Sequence, residues 1–242
     1  MKFTSPYFLL SALMNLSLSC GLMSSSYATS HIPEAVKKIA LKSKDSQTVA
    51  RQIAEQWKTV QKYSLTLDHQ SRYTLVGIVE YLCPYCQKFL TGLSKIHFEK
   101  EKVNVALLYL PIFEGETSRA YGHVMQTIFM QNKEAFLENI SGYPRHDLEA
   151  LKQKMTKQSI MLDQETLKKF PLESEHLNLA QTLDVPIVPM VFLAVEQSEK
   201  EIIVIPLENA PSDQLIAWIQ DIQKMDPASL ASLKTSLGQD RK

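Results

Sequence analysis

Two cysteines separated by a proline and a tyrosine lie where a strand-like run ends and a helix-like run begins. Residues 73–81 are rich in β-branched and aromatic side chains, which is typical of a buried strand. Cys83, Pro84, Tyr85 and Cys86 follow this run, and apolar residues at helical spacing come next, namely Phe89, Leu90, Leu93 and Ile96. Since proline suits the first position of a helix, the sequence predicts a strand, then Cys83, then a helix that carries Cys86.

The spacing of the two cysteines favours redox chemistry over a structural disulfide. A bridge across two residues closes almost no loop, and disulfide stabilisation grows with loop length. The positive end of the helix dipole would favour the thiolate form of Cys83, which is the form that attacks disulfides. Cys86, one turn inside the helix and on the same side, would then resolve the mixed disulfide. We therefore expect Cys83 to be the attacking residue and Cys86 the resolving one.

The alternatives for this pair are a zinc site or two inert thiols. A zinc site needs two further ligands, and the scattered histidines (His97, His123, His146 and His176) supply no pair at zinc spacing. The sequence therefore predicts neither a metal nor another cofactor.

The first 28 residues are typical of a signal peptide. Lys2 is followed by an apolar stretch over residues 7–18, which is too short and too interrupted to span a hydrocarbon core of about 30 Å. Ser26 and Ala28 occupy the small-residue positions of a signal-peptidase site, so cleavage is expected after Ala28. The alternative is a retained membrane anchor. We therefore expect an exported protein.

Cys20 decides how many cysteines the mature chain holds. Its surroundings resemble a lipoprotein acylation site, but Ser17 stands where an aliphatic residue is expected, which makes lipidation the less favoured alternative. If cleavage follows Ala28, Cys20 leaves with the signal peptide. The mature chain then contains two cysteines, Cys83 and Cys86.

Residues 29–70 are predicted to form an N-terminal helical extension. Val49, Ile53, Trp57 and Val60 recur at helical spacing and form one apolar stripe. Such a stripe predicts either packing on the core of the main domain or a homodimer formed through residues 31–70, and the pattern alone does not separate the two.

The order of the remaining segments predicts the architecture. A second strand is expected over residues 103–110, a helical insert over about 118–183, two strands at 190–195 and 201–205, and a closing helix from Ser212. This order predicts an α/β domain over residues 71–225, in which helices flank a mixed four-stranded sheet. Residues 226–242 are left as a C-terminal tail.

Charge excludes one class of partner. Lysines and arginines number 26, as do aspartates and glutamates, and the chain has no basic block. Because nucleic-acid affinity comes mainly from neutralising phosphates, we expect no nucleic-acid binding.

Residues 78–89, with their strand, acid, Cys-Pro-Tyr-Cys and helix, resemble the DsbA-like family of periplasmic thiol–disulfide oxidoreductases. Residues 179–192 are similar to the segment that carries the cis-proline of that family, and the whole resemblance covers roughly residues 73–222. It implies a thioredoxin-like fold with Cys83 and Cys86 as catalytic residues. It further implies that Pro189 is the cis-proline and that the backbone of Val188 contacts substrate. Pro84 and Tyr85, between the cysteines, complete the expected substrate-binding residues.

The resemblance also implies partners and a range of activities. We expect an oxidase that donates its disulfide to unfolded or folding exported proteins and is served by a membrane or periplasmic redox partner. Tyr85 stands where the strongest oxidants of the family have a histidine, which predicts a less oxidising pair of cysteines. An isomerase or reductase of the DsbC/DsbG kind is one alternative. A chaperone or assembly factor that works without turnover is the other.

One acidic residue near the cysteines has two interpretations. Gly77 leaves no acid at the buried position that thioredoxins use for proton transfer. Glu80 could take part in proton transfer with Cys86, but the sequence favours a solvated or capping residue.

Overall fold

The computed structural model describes residues 32–110, 116–133, 136, 147–157 and 174–240. The predicted signal peptide, including Cys20, lies outside the described residues. Within the described residues, no helix has both the length and the apolar character needed to cross a membrane.

A mixed sheet of five strands forms the centre of the fold. The strands are β1 (Leu65–Leu67), β2 (Tyr73–Val79), β3 (Asn104–Tyr109), β4 (Met190–Ser198) and β5 (Glu201–Leu207). Their order in the sheet is β1-β3-β2-β4-β5. β2 and β3 are parallel, and the other neighbouring pairs are antiparallel. Four of these are the predicted strands, and the fifth, β1, is an additional edge strand within residues 29–70.

Helices cover both faces of this sheet. They are α1 (Glu34–Ala40), α2 (Lys44–Glu55), α3 (Trp57–Tyr63), α4 (Pro84–Leu93), α5 (Phe98–Glu101), α6 (Glu116–Gln131), α7 (Leu148–Lys157), α8 (Ser174–Leu183), α9 (Ser212–Gln223) and α10 (Pro227–Ser236). Every residue of β2 is buried, as expected of a strand with helices on both sides. Its side chains alternate between two apolar clusters, so that Leu75 lies in one and Val76 in the other.

The apolar stripe of the N-terminal extension lies against the sheet of its own chain. Val49, Ile53, Trp57 and Val60 are all buried, and they share a cluster with Val76 and other residues of β2, β3 and β4. The stripe is divided between α2 and α3, which meet at Gln56. In this structure the stripe is therefore part of the core.

The segment set apart as a C-terminal tail contains a helix. Asp226 caps α10 by accepting a hydrogen bond from the N–H of Ser229, and Leu230 and Leu233 are buried. Beyond the helix, the side-chain amide of Gln239 accepts a hydrogen bond from the N–H of Val204 and donates one to its carbonyl. The tail prediction was wrong because leucines three and four residues apart give this segment an apolar side that packs on the domain.

The helical insert contributes α6, α7 and α8, with the residues between them outside the described part. α6 and α7 pack together on one face of the sheet, through residues such as Ile128 and Leu151. α8 packs on the other face, through Leu179 and Leu183. The first turn of α6 places Ser118 against the end of β3, next to the turn that holds the two cysteines.

Candidate functional site

The two cysteines lie at the start of α4, directly beyond the carboxyl end of β2. Cys83 is the residue that precedes the helix, Pro84 is its first residue, and Cys86 lies in its first turn. The N–H of Cys83 donates to the carbonyl of Glu80 at 3.0 Å, and the carbonyl of Cys83 accepts from the N–H of Gln87 at 3.0 Å. Both thiols are free. The local order expected from the sequence is therefore present.

A loop from the other end of the sequence lies against the first cysteine. The Val188–Pro189 peptide bond is cis, as the resemblance implied. The thiol of Cys83 donates to the carbonyl oxygen of Val188, with 3.8 Å between Sγ and O. The sheet explains this contact, because β4 begins at Met190, which pairs with Ile78 near the end of β2. The antiparallel pair thus brings the cis-proline loop beside the turn that contains Cys83.

The second cysteine is enclosed. Cys86 is 0% exposed, and its sulfur accepts a hydrogen bond from the N–H of Glu80 at 3.4 Å. Burial raises the pKa of the Cys86 thiol well above its ordinary value; the Glu80 N–H offsets part of this, and the nearby Cys83 and the Glu80 carboxylate add to it. The thiol form of Cys86 is therefore strongly favoured in the dithiol state.

Glu80 lies inside the protein, so its interpretation as a solvated residue was wrong. Its side chain is 0% exposed. One carboxylate oxygen accepts from the N–H of Leu82 at 3.1 Å, which fits a capping role in the turn. The other accepts from the hydroxyl of Ser118 at 2.8 Å. The helical insert thus reaches the carboxylate of the residue whose backbone N–H contacts Cys86.

Two buried tyrosines complete this environment. The hydroxyl of Tyr109 donates to the carbonyl of Ser118 at 2.9 Å and lies 3.1 Å from its hydroxyl. The rings of Tyr109 and Tyr81 are stacked with centroids 5.0 Å apart. Burial, above all, raises the pKa of both tyrosines, and the nearby Glu80 carboxylate raises it further. Both phenols therefore stay protonated at physiological pH.

The surface around Cys83 is apolar and open. Tyr85 is 66% exposed and Ile187 is 67% exposed, although large apolar side chains usually lie inside. Pro84 is also exposed, and Val188 and Pro189 are half-buried. The exposed Pro84 and Tyr85 and the half-buried Val188 and Pro189 therefore lie next to Cys83, which is itself 5% exposed, while Cys86 lies inside; the structure adds the exposed Ile187. Its place next to Val188 was the sequence signal for this residue.

Sequence reasoning placed Ser118 at the start of the helical insert and assigned no role in the site to it or to Tyr109. Tyr109 is polar within an otherwise apolar strand, which is the signal that could have drawn attention to it, whereas Ser118 lies among polar residues and gives no such signal. Among the described residues, no group of three or more histidine, cysteine, aspartate or glutamate side chains is arranged to hold a metal ion.

Solved structures with a similar architecture place this site in a known fold. The catalytic domain of Proteus mirabilis ScsC matches with a TM-score of 0.53 and 21% identity, over 75% of this chain and 98% of that one. Salmonella enterica Typhimurium BcfH matches with a TM-score of 0.55 and 15% identity, over 72% of this chain and 80% of that one. The thiol-disulfide exchange protein alpha-DsbA2 from Wolbachia pipientis matches with a TM-score of 0.52 and 12% identity, over 74% of this chain and 98% of that one.

The chain has a thioredoxin-like fold. This confirms the fold implied by the resemblance to the DsbA-like family, with a fifth strand added to the four expected. No family model and no curated protein matches the sequence. At these levels of identity the structural likeness establishes the fold alone.

Proposed function

We propose that the protein is an exported thiol–disulfide oxidoreductase that donates the Cys83–Cys86 disulfide to proteins folding in the periplasm. The observation that carries this proposal is the position of the Cys83 thiol, 3.8 Å from the carbonyl of Val188 and beside exposed apolar side chains. A cysteine placed in this way can bond to a cysteine of an extended chain while backbone next to it remains available to that chain.

The oxidase reaction uses the two cysteines in turn. A substrate thiolate attacks Sγ of Cys83, the Cys83–Cys86 bond breaks, and its electron pair leaves on Cys86, which takes up a proton. A second substrate thiolate then attacks the substrate sulfur bound to Cys83. A substrate disulfide forms, and Cys83 leaves as a thiolate. Two electrons have passed to the protein, and a membrane or periplasmic redox partner must remove them. Burial of Cys86 supports this sequence, because it favours the protonated thiol that the first step produces.

Substrate binding is proposed for the surface that surrounds Cys83. Val188 and Pro189 would supply backbone to an extended substrate segment, and Pro84 and Tyr85 would contact its side chains. The exposure of Tyr85 supports this role, since a large aromatic ring in solvent is available for a partner.

The direction of exchange rests on two features. The first is that the apolar stripe of α2 and α3 is already covered by the sheet of its own chain; its residues are Val49, Ile53, Trp57 and Val60. The protein therefore does not need a homodimer through residues 31–70 to bury this stripe. A monomeric oxidase is therefore favoured over a dimeric isomerase. Tyr85 between the cysteines supports a couple milder than that of the strongest oxidants.

The location of the protein rests on its first 28 residues, which have the composition of a signal peptide. Sequencing the N-terminus of the protein recovered from the periplasm tests this point. We expect it to begin at Thr29, and a lipid-modified N-terminus at Cys20 would contradict the expectation.

The function is tested by exchange with a reduced, unfolded substrate that contains two cysteines. The oxidised protein should form the substrate disulfide, and the Cys83→Ala variant should not. Cys86→Ala, the matched variant, keeps the attacking thiol. Mixed with a substrate that already contains a disulfide, it should accumulate a mixed disulfide between Cys83 and one substrate sulfur while the other substrate sulfur leaves as a thiol, because the residue that would resolve the bond is missing. A Cys86→Ala protein that traps no mixed disulfide would refute the assignment of roles.

The redox potential and the oligomeric state separate the alternatives. A potential well above the value of about −270 mV found for thioredoxin supports the oxidase, and a value near it opposes it. A dimer that repairs scrambled disulfides would instead indicate an isomerase. Retention of the biological role by Cys83→Ala would indicate a chaperone.

A further inference from the structure

A serine of the helical insert reaches the redox centre. Ser118 is 3% exposed, and its hydroxyl donates to the Glu80 carboxylate at 2.8 Å across 38 residues of sequence. α6 also packs through apolar side chains such as Ile128. Ser118 adds a directed, charge-assisted contact between the insert and the turn that holds the cysteines.

The residue whose carboxylate Ser118 holds contacts the resolving cysteine through its backbone. Glu80 is fully buried, with one oxygen bonded to the N–H of Leu82 and the other to Ser118. The N–H of Glu80 donates to the sulfur of Cys86 at 3.4 Å. A buried carboxylate is costly unless hydrogen bonds stabilise its charge. The Ser118 hydroxyl therefore helps to keep Glu80 both in place and able to accept a proton.

Tyr109 in turn fixes Ser118. Its hydroxyl donates to the Ser118 carbonyl at 2.9 Å and lies 3.1 Å from the Ser118 hydroxyl. The ring of Tyr109 is 1% exposed and is stacked on Tyr81. The position of the hydroxyl that faces Glu80 is thus set by packed groups of β3 and α6.

We propose that Ser118 is a positioning residue for disulfide exchange, and that it acts by holding the Glu80 carboxylate where it exchanges a proton with the Cys86 thiol. The proposal rests on the thiol–disulfide exchange proposed above. It makes the helical insert part of the redox centre, through one hydroxyl of α6.

The proton transfer accompanies the resolving step. When a partner is bonded to Cys83, the Cys86 thiol passes its proton to the Glu80 carboxylate, which becomes a carboxylic acid. The Cys86 sulfur then forms a bond to Sγ of Cys83, and the bond from Cys83 to the partner breaks, with its electron pair leaving on the partner sulfur. In the opposite direction, Glu80 returns the proton to Cys86.

Other titratable groups of this cluster do not take the proton. Tyr81 and Tyr109 are buried with raised pKa values, so they are already protonated when the resolving step occurs. The guanidinium of Arg119, whose charge acts on Tyr109, has hydrogen-bond donors and no acceptor. Cys83 is bonded to the partner at this stage.

The experiment separates attack from resolution in one reaction. The reduced protein is mixed with a chromogenic aromatic disulfide, which releases one coloured thiol when Cys83 attacks and another when Cys86 resolves. Both rates are followed in a stopped-flow instrument over a range of pH. Ser118→Ala should leave the first release within about twofold of wild type and slow the second about tenfold near neutral pH. The deficit should shrink in alkaline solution, where hydroxide removes the Cys86 proton.

Three companion variants sharpen the result. Glu80→Gln should slow the second release more than Ser118→Ala, by about a hundredfold near neutral pH, because it removes the acceptor itself. Ser118→Thr keeps the hydroxyl and should restore the wild-type pH profile. Thr127→Val is the matched control, since it removes a buried hydroxyl of α6 that bonds within its own helix, to the carbonyl of His123.

Each outcome bears on a different claim. A wild-type protein that releases no coloured thiol would overturn the proposed function. A wild-type protein that exchanges normally, with an unchanged pH profile for Ser118→Ala, would overturn the role of Ser118 alone. If Ser118→Ala does not fold, Tyr109→Phe serves instead, since it removes the hydroxyl that fixes Ser118 and keeps the ring. It should slow the second release selectively, and an unchanged profile would overturn the proposal.

Discussion

Replacing Gly122 of α6 with alanine would place a methyl group against the ring of Tyr109. A Cβ at this position would lie 2.5 Å from Cζ and 2.8 Å from Oη of that ring, which is closer than real Cβ contacts allow. The ring is 1% exposed and is stacked on Tyr81, so it has no open space into which to turn. Either α6 or the ring must therefore shift, and the packing between α6 and β3 must loosen.

The size of the effect follows from two opposing terms. Alanine stabilises the interior of a helix by about 1 kcal/mol relative to glycine. Overpacking a filled core costs about 1–3 kcal/mol, and contact with several atoms of a stacked ring belongs to the upper part of that range. We therefore expect Gly122→Ala to lower the free energy of unfolding by about 1–2 kcal/mol.

A matched glycine in α4 supplies the control. Among the described residues, no heavy atom apart from the chain neighbours of Gly92 and the backbone of its own helix lies within 4 Å of a Cβ built at this position. Gly92→Ala should therefore raise the free energy of unfolding by about 0.5–1 kcal/mol, because the helix gains stability without a clash. Urea unfolding followed by circular dichroism measures both variants. A Gly122→Ala protein as stable as wild type would refute the close approach of α6 to Tyr109.

Three further substitutions test other contacts by urea unfolding. Trp57→Phe removes the indole N–H that donates to the Glu196 carboxylate at 3.1 Å, and it should cost about 1 kcal/mol; an unchanged midpoint would count against this bond. Gln239→Leu leaves a buried N–H and a buried carbonyl of β5 without their partner and should cost about 1–3 kcal/mol, with faster hydrogen exchange at that amide. Hydrogen bonds from the N–H and hydroxyl of Ser229 hold the pKa of Asp226 below its ordinary value. A carboxylate with a lowered folded-state pKa stabilises the fold above its unfolded-state pKa of about 3.9, and this contribution is lost as the pH falls. The stability difference between wild type and Asp226→Asn should therefore be larger near neutral pH than in acid, and equal differences would contradict the capping role.

The central part of the fold could be predicted because its signals are local. The β-branched run before Cys83, the proline after it and the helical spacing beyond Cys86 each describe a few neighbouring residues, and all agree on one strand–turn–helix unit. The two later strands were recognised in the same way. The order of these segments then predicted a mixed sheet flanked by helices, and the resemblance to the DsbA-like family implied that this is a thioredoxin-like fold.

Elements held mainly by tertiary contacts were missed. β1 has three residues, Leu65–Leu67, too few to show an alternating pattern, and it exists because it pairs with β3. The helix α10 was missed because it lies in a polar C-terminal segment whose leucines gain stability only when they pack on the domain. The apolar stripe of α2 and α3 was recognised, but the surface that covers it was not decided by the pattern.

The candidate site shows the same contrast between what local sequence signals predict and what tertiary contacts decide. The sequence by itself determined that Cys83 directly precedes a helix and that Cys86 lies in its first turn, because four consecutive residues and the helical pattern that follows suffice for that. Only the tertiary structure decided what surrounds them. The carbonyl of Val188 faces Cys83 across 105 residues, and the hydroxyl of Ser118 meets Glu80 across 38, because the register of β4 on β2 and the packing of α6 bring them there. The sequence could not show whether Glu80 lies in solvent or inside the protein, because that depends on tertiary packing. The same is true of Cys86, whose burial raises the pKa of its thiol.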